Sequence, residues 1–240
     1  MTGKYQKKEE INMNDNGKDV AHTYTNSDGK EIPSVTHIIS IIKKKNITGW
    51  ANYLGFKHIS VKNYINEKAI LGTLVHERIE KFFDGKEPEP YFDYSINEQV
   101  NARFDIFKTW YECAKPERIW EEKEFTNDKY GGKIDLLCKM YDDKIVLLDF
   151  KTSKAVRSSH FLQLGGYLNL IQDCEPEMYK KIDLCQIVAI TDCKVIQEVR
   201  PIELMKKYQD AFNDAYELYV KWDRILREEW NDSLKDLGIL

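Results

Sequence analysis

The chain has 240 residues, of which 42% are hydrophobic, and a formal net charge of −4 at pH 7. This composition supports one well-buried core, and no apolar run approaches the roughly 20 residues that a membrane span needs, so we expect a cytoplasmic protein without membrane contact. The negative net charge excludes attraction of nucleic acid by bulk positive charge.

The composition divides the chain into three parts within one compact unit. Residues 1–22 are rich in Lys, Asn, Asp and Glu and lack the apolar stretch of a signal peptide, so we expect a disordered leader. Residues 23–116 are predicted to form an N-terminal hairpin and helical region. Residues 117–240 are predicted to form a core that ends in a long C-terminal helix.

Turn and helix signals follow one another in the N-terminal region. Alternating polar and apolar residues at 22–33, around Asp28-Gly29, predict a small hairpin. A short helix follows, for which Ser34 or Thr36 is the candidate N-cap. Three further helical patterns cover residues 50–65, 72–83 and 96–113.

From Arg118 the pattern changes to that of strands. Glu122 and Glu124 share one face of the first predicted strand. Four consecutive aliphatic residues at 145–148 run directly into Asp149, which indicates a strand buried on both faces. Later patterns predict a helix at 161–171, strands at 186–191 and 194–199, and a helix at 202–230. This order predicts an α/β fold with a mixed central sheet flanked by helices.

Two acids and a lysine stand at the ends of two neighbouring predicted strands. Thirteen residues separate Asp135 from Asp149-Phe150-Lys151, and a tight turn between the strands could bring both carboxylates to one edge of the sheet. An acid that ends an aliphatic strand is costly unless its charge is compensated, and Mg²⁺ or Mn²⁺ compensates it well. Lys151 points to the same side as Asp149 and could hold a nucleophilic water. An ordinary ion pair between these two residues is the alternative interpretation.

Two helical pairs, each four residues apart, are further candidates. His76 followed by Glu80 suggests a metal-ligating imidazole supported by a carboxylate, although a lone surface histidine is the alternative. Gln163 and Tyr167 place polar groups on the inner face of an apolar helix. Their partners could be DNA, the metal site or loop carbonyl groups.

The segment after the second acid supplies candidate phosphate ligands. Thr152 and Ser153 offer hydroxyl groups directly after Lys151. Lys154 and Arg157 add positive charge, which holds a nucleic acid backbone without regard to its sequence.

Four segments, in order, resemble the successive motifs of RecB-like exonucleases in the PD-(D/E)XK superfamily: Gly72-Thr73-Leu74-Val75-His76, Gly132-Lys133-Ile134-Asp135, Asp149-Phe150-Lys151-Thr152 and Gln163-Leu164-Gly165-Gly166-Tyr167. Pro33-Ser34-Val35-Thr36 and Trp50 extend the likeness to the mitochondrial genome maintenance exonuclease and related phage nucleases. The resemblance implies a restriction-endonuclease-like core and metal-dependent cleavage of DNA ends, with single strands favoured. It also implies the cytoplasm of a bacterium or a phage-infected host cell.

The resemblance also implies roles for individual residues. Lys151 would serve the nucleophilic water, and Glu122 would fill the first acidic position, for which Glu121 and Glu124 compete. Gln163 and Tyr167 would orient the site and touch DNA. The implied metal ligands are His76, Asp135, Asp149 and the backbone carbonyl of Phe150.

Some relatives hold an iron–sulfur cluster through four cysteines, three of them close together near the C-terminus. Cys174, Cys185 and Cys193 are too widely spaced for that pattern, so we predict no cluster. We expect the five cysteines to be buried free thiols in a reducing compartment.

The helices at residues 35–68 could cover the site and leave a passage for a single strand. Four aromatic residues are candidates for stacking on bases or, as the alternative, for packing the helices together: Trp50, Tyr53, Phe56 and Tyr64. A structure-specific DNA endonuclease would share the site but not the passage. A non-catalytic DNA-binding protein on the same fold is a further alternative, which the presence of both acids and the lysine disfavours.

Overall fold

The computed structural model describes residues 23–42, 47–87 and 91–236. The predicted leader, residues 1–22, lies outside the described residues. The helices are α1 (Val35–Ile39), α2 (Ile47–Phe56), α3 (Val61–Phe83), α4 (Tyr94–Ala114), α5 (Ser158–Cys174), α6 (Pro176–Tyr179) and α7 (Ile202–Asp236). The strands are β1 (Thr23–Thr25), β2 (Glu31–Pro33), β3 (Glu117–Thr126), β4 (Gly131–Met140), β5 (Lys144–Lys151), β6 (Ile182–Ile190) and β7 (Val195–Pro201).

A five-stranded mixed sheet with the strand order β3-β4-β5-β6-β7 forms the centre of the fold. Strands β5 and β6 are parallel, and the other neighbouring pairs are antiparallel. The parallel pair requires a crossover connection, which α5 and α6 supply. The aliphatic segment of β5 occupies the middle of the sheet, where Val146, Leu147 and Leu148 are fully buried. The predicted mixed α/β fold is confirmed.

Helices cover both faces of this sheet. On one face, α1, α5 and α7 contribute Val35, Phe161 and Phe212 to one apolar cluster. On the other face, α3 and α4 contribute Val75 and Phe107 to a second cluster. None of the helices in the described part of the chain is long and apolar enough to cross a membrane.

Most predicted elements of the N-terminal region are confirmed. Strands β1 and β2 pair as the predicted hairpin, and the hydroxyl of Ser34 caps α1 by accepting a hydrogen bond from the His37 N–H at 3.0 Å. The predicted boundary between the helices at 50–65 and 72–83 is wrong, because the break falls at residues 57–60 and α3 runs without interruption from Val61 to Phe83. Leu71, in the middle of this segment, is buried against the sheet, which favours continuation of the helix.

Two other details differ from the sequence-based expectations. The short helix α6 was not predicted; it begins with Pro176, a residue whose fixed φ suits the first helical position. The expectation of buried thiols holds for Cys138 and Cys185 and is wrong for three cysteines, which are exposed: Cys113, Cys174 and Cys193.

Candidate functional site

Strands β4 and β5 separate where the two acids lie. Their ladder runs from the turn at residues 141–143 to the pair Leu136–Leu148. Beyond that pair, the N–H of Phe150 donates to Oδ2 of Asp135 at 2.7 Å. A bond to a side chain therefore takes the place of the next backbone hydrogen bond between the strands. The structure thereby brings Asp135 and Asp149 to the same end of the sheet. Both are buried, with exposed fractions of 8% and 1%.

The carboxylate of Asp149 has a charged neighbour at one of its two oxygens. Nζ of Lys151 lies 2.5 Å from Oδ2 of Asp149, an ion-pair distance. Lys151 is the one charged group in contact with Oδ2 among the described residues, whereas the buried Oδ1 has no hydrogen-bond partner there. Burial, followed by the charge of Asp135, raises the pKa of Asp149 to about 6, against the opposing effect of Lys151. Burial likewise raises the pKa of Asp135.

Glu122 approaches the two aspartates from the edge strand β3. The ladder register places it opposite Asp135. Its φ of 46° lies in the left-handed region, which is unusual for a residue other than glycine in a strand. Burial, followed by the charge of Asp135, raises the pKa of Glu122 to about 7, although Nζ of Lys133 lies 2.7 Å from its Oε2. The other carboxylate oxygen, Oε1, is buried without a partner.

The two acids that compete with Glu122 have different surroundings. Glu121 pairs with Arg118, and Glu124 is exposed to solvent. Only 12% of the Glu122 side chain is exposed, and it is also the member of this group that faces Asp135.

Helix α3 brings His76 to the aspartates. Its Nδ1 lies 3.7 Å from Oδ2 of Asp135. Burial, followed by the charge of Lys151, lowers the pKa of His76 to about 4, while the charge of Asp149 opposes the shift. One third of the imidazole side chain remains in contact with solvent. The ring is therefore neutral at neutral pH, and the contact with Asp135 is not an ion pair.

Glu80, one turn after His76, contacts a different group. Its Oε1 lies 3.5 Å from Nζ of Lys133, which also binds Glu122. Lys133 therefore joins α3 to β3, a role that the sequence analysis missed. Its position two residues before Asp135, on the same side of a strand, is the signal that could have identified it.

The polar pair on α5 lies beneath the aspartates. Nε2 of Gln163 donates to the hydroxyl of Tyr167 at 2.7 Å, so these residues bond to each other. Burial, followed by the charges of Asp149 and Asp135, raises the pKa of Tyr167 well above 10. Tyr167 packs against Gly132 so closely that a Cβ there would lie 2.7 Å from its Cε1 atom.

The loop after β5 carries two partly buried residues with hydroxyl groups and two exposed basic side chains. Thr152 is partly buried, and its Oγ1 lies 3.4 Å from the position that a Cβ would take at Gly72 on α3. The hydroxyl of Ser153 donates to the carbonyl of Ala155 at 2.8 Å, which closes the loop. Lys154 and Arg157 are exposed at the surface.

Two observations bear on whether the side chains at this site suit a divalent cation. Within residues 23–42, 47–87 and 91–236, no group of three or more His, Cys, Asp or Glu side chains is arranged as a metal-binding cluster. In the same part of the chain, however, three of the four buried side-chain polar atoms without a hydrogen-bond partner are carboxylate oxygens of Glu122 and Asp149. Buried acceptors without donors are costly, and a hard cation is the ligand that oxygen atoms suit. The residues present therefore fit a divalent cation.

Comparison with known proteins gives only distant likeness. No family model and no curated protein matches the chain. An alkaline exonuclease from Laribacter hongkongensis is 10% identical over 83% of this chain and 94% of that chain, with a TM-score of 0.33. A phage-related exonuclease from Haemophilus somnus 129PT is 11% identical over 83% of this chain and 96% of that chain, with a TM-score of 0.34. At such TM-scores the likeness carries no argument about activity.

Proposed function

We propose that the chain is a metal-dependent nuclease of the PD-(D/E)XK type that hydrolyses phosphodiester bonds in DNA. One observation carries this proposal. Asp135 and Asp149 are buried at the end of the sheet where two strands separate, and Oδ1 of Asp149 has no hydrogen-bond partner among the described residues even though Lys151 contacts Oδ2. In an ordinary structural ion pair, a buried acceptor such as Oδ1 would also have a donor.

The proposed metal is Mg²⁺ or Mn²⁺, with Glu122 available as a further acid. When bound, the cation supplies Lewis-acid charge that activates water and stabilises the anionic phosphate. Neutral His76 can serve as a metal ligand, because only an unprotonated ring nitrogen can ligate a metal. The proposed ligands are His76, Asp135, Asp149 and the carbonyl of Phe150.

We assign Lys151 to the nucleophilic water and to the phosphate that it attacks. Its side chain is 19% exposed, and its Nζ lies 2.5 Å from Oδ2 of Asp149, which holds the ammonium group beside the acids. From there it can donate to the nucleophilic water and to the phosphate as negative charge develops. The backbone of a bound strand would be held by Thr152, Ser153, Lys154 and Arg157.

Tyr167 and Gln163, on α5, place a hydroxyl group of fixed direction beside the aspartates. Because the pKa of Tyr167 is raised, its hydroxyl stays protonated beside the aspartates. The bond from Gln163 fixes the direction in which that hydroxyl can donate. We assign these two residues to the orientation of the site and of the bound DNA.

We further propose that the enzyme is an exonuclease that favours single-stranded ends. Helix α2 buries only Leu54 among its described residues. Trp50 packs against Tyr64 on α3 at 5.8 Å, which favours the structural interpretation for these two. Tyr53 and Phe56 are 59% and 86% exposed, so they remain available to stack on bases.

The test compares linear and covalently closed circular single-stranded DNA of the same sequence in the presence of Mg²⁺ or Mn²⁺. The proposal predicts rapid loss of the linear molecules, little loss of the circles, and rates that fall steeply with added salt. Comparable rates on both substrates would identify an endonuclease. Binding of both substrates without cleavage of either would identify a non-catalytic DNA-binding protein.

A further inference from the structure

Two aromatic side chains at the start of α4 stand almost entirely in solvent. Phe92 is 88% exposed and Tyr94 is 76% exposed. The ring of Tyr91 lies 4.2 Å from that of Phe92. The segment is held in place, because the side chain of Asp93 caps α4 and the N–H of Tyr91 donates to Oδ1 of Asn97 at 2.9 Å. Large rings displayed by a fixed segment suggest a binding surface.

The direction of α3 relates this segment to the candidate site. His76, on α3, lies beside Asp135, whereas Phe83, at the end of α3, accepts a hydrogen bond from Arg118 at 3.0 Å. Arg118 pairs with Cys138, further along β4 from the site. Helix α3 therefore runs away from the site, and its earlier residues extend beyond the site-bearing end of the sheet.

Helix α4 runs parallel to α3. Arg78 contacts Asn101, and one turn later Phe82 contacts Phe104. Tyr94 lies seven residues before Asn101, which places it about 10 Å further along the helix axis. The exposed rings therefore stand beyond the same end of the sheet as the two aspartates.

We propose that Phe92 and Tyr94, with Tyr91 in contact with Phe92, form a stacking platform for the unpaired bases of a DNA strand that leaves the site. This inference rests on the proposed nuclease function. Residues 91–98 contain two acidic groups, Asp93 and Glu98, and neither Lys nor Arg, so this segment does not attract phosphate. Such rings stack on the faces of the bases, whatever the base sequence.

The test measures binding of a fluorescein-labelled oligodeoxythymidylate by fluorescence anisotropy in Mg²⁺. The full-length chain with Asp149→Asn serves as the non-cleaving parent. Adding Phe92→Ala and Tyr94→Ala should weaken binding about tenfold, equally at low and raised salt, because stacking does not depend on counterion release. Adding Trp222→Ala instead, a 52% exposed aromatic on α7, should change affinity less than about twofold.

Abasic strands distinguish the loss of base stacking from other causes of weaker DNA binding. On an oligonucleotide without bases, the platform variant and the parent should bind equally. A tenfold loss that persists on the abasic strand would overturn the platform, as would equal affinity of both proteins for the normal strand. A change in oligomeric state with unchanged DNA affinity would assign the surface to a second copy of the chain and also overturn it. In these three cases cleavage by wild type would still support the nuclease proposal, whereas a wild type that neither binds nor cleaves DNA would overturn both.

Discussion

Replacement of Asp149 by Asn should stabilise the metal-free protein. Asp149 is 1% exposed, and its Oδ1 has no hydrogen-bond donor among the described residues. Its pKa is about 6, compared with 3.8 for a solvated carboxyl group. That difference corresponds to about 3 kcal/mol by which ionisation of Asp149 disfavours the folded state. The substitution removes the charge and keeps nearly the same shape.

The sign of this effect sets its pH dependence. Because folding raises the pKa of Asp149, the folded state holds the proton more tightly than the unfolded state does. Below about pH 4 the group is protonated in both states, and its ionisation costs nothing. The stability of wild type falls as pH rises through 6, and the full cost is present above about pH 7. In that alkaline range, Asp149→Asn should raise the melting temperature by roughly 6–12 °C.

The assay is thermal unfolding in a chelator across this pH range. Asp143→Asn is the matched control, because the Asp143 side chain is 84% exposed in the turn between β4 and β5. It should shift the melting temperature by a small amount at every pH. The reasoning would be refuted if Asp149→Asn were less stable than wild type at alkaline pH, or if its advantage were the same in acid.

Three other predictions concern the site. Lys151→Ala should keep Mn²⁺ binding, measured by calorimetry, and lose roughly two to four orders of magnitude in turnover; activity within about threefold of wild type would contradict its role. Mn²⁺ or Mg²⁺ should raise the melting temperature of wild type but not of Asp149→Ala, and equal shifts would argue against a metal at Asp149. Gly132→Ala should lower stability by about 1–3 kcal/mol in urea unfolding, because its Cβ would overlap Tyr167. Gly49→Ala, with no atom within 4 Å of its Cβ, should not be destabilising, and equal effects would contradict the packing argument.

The central strand and its acid were predictable because the pattern is local. A short run of aliphatic residues at 145–148 favours a strand buried on both faces; Val146, Leu147 and Leu148 are fully buried, and Asp149 follows them directly. The spacing to Asp135 then required only a tight turn, which the chain forms at residues 141–143. The order of the other elements also followed from their periodicity, apart from α6 and the break between α2 and α3.

Features that depend on the folded geometry, and not on a sequence pattern, were not predictable. The bridge from Lys133 to both Glu80 and Glu122 joins three separate elements. The left-handed φ of Glu122 has no signal in the sequence, since glycine is the residue that usually marks such a conformation. Gln163 and Tyr167 bond to each other, whereas DNA, the metal site and loop carbonyl groups were the candidate partners.

The most direct test of the central claim is cleavage of end-labelled single- and double-stranded DNA by wild type and Asp149→Asn, each incubated with Mg²⁺, Mn²⁺ or EDTA. The account predicts that wild type shortens labelled DNA with either metal, faster on single strands, and that both EDTA and Asp149→Asn abolish cleavage. Cleavage that persists in EDTA or in Asp149→Asn, or a wild type inactive under all conditions, would contradict a metal-dependent nuclease site at Asp135, Asp149 and Lys151.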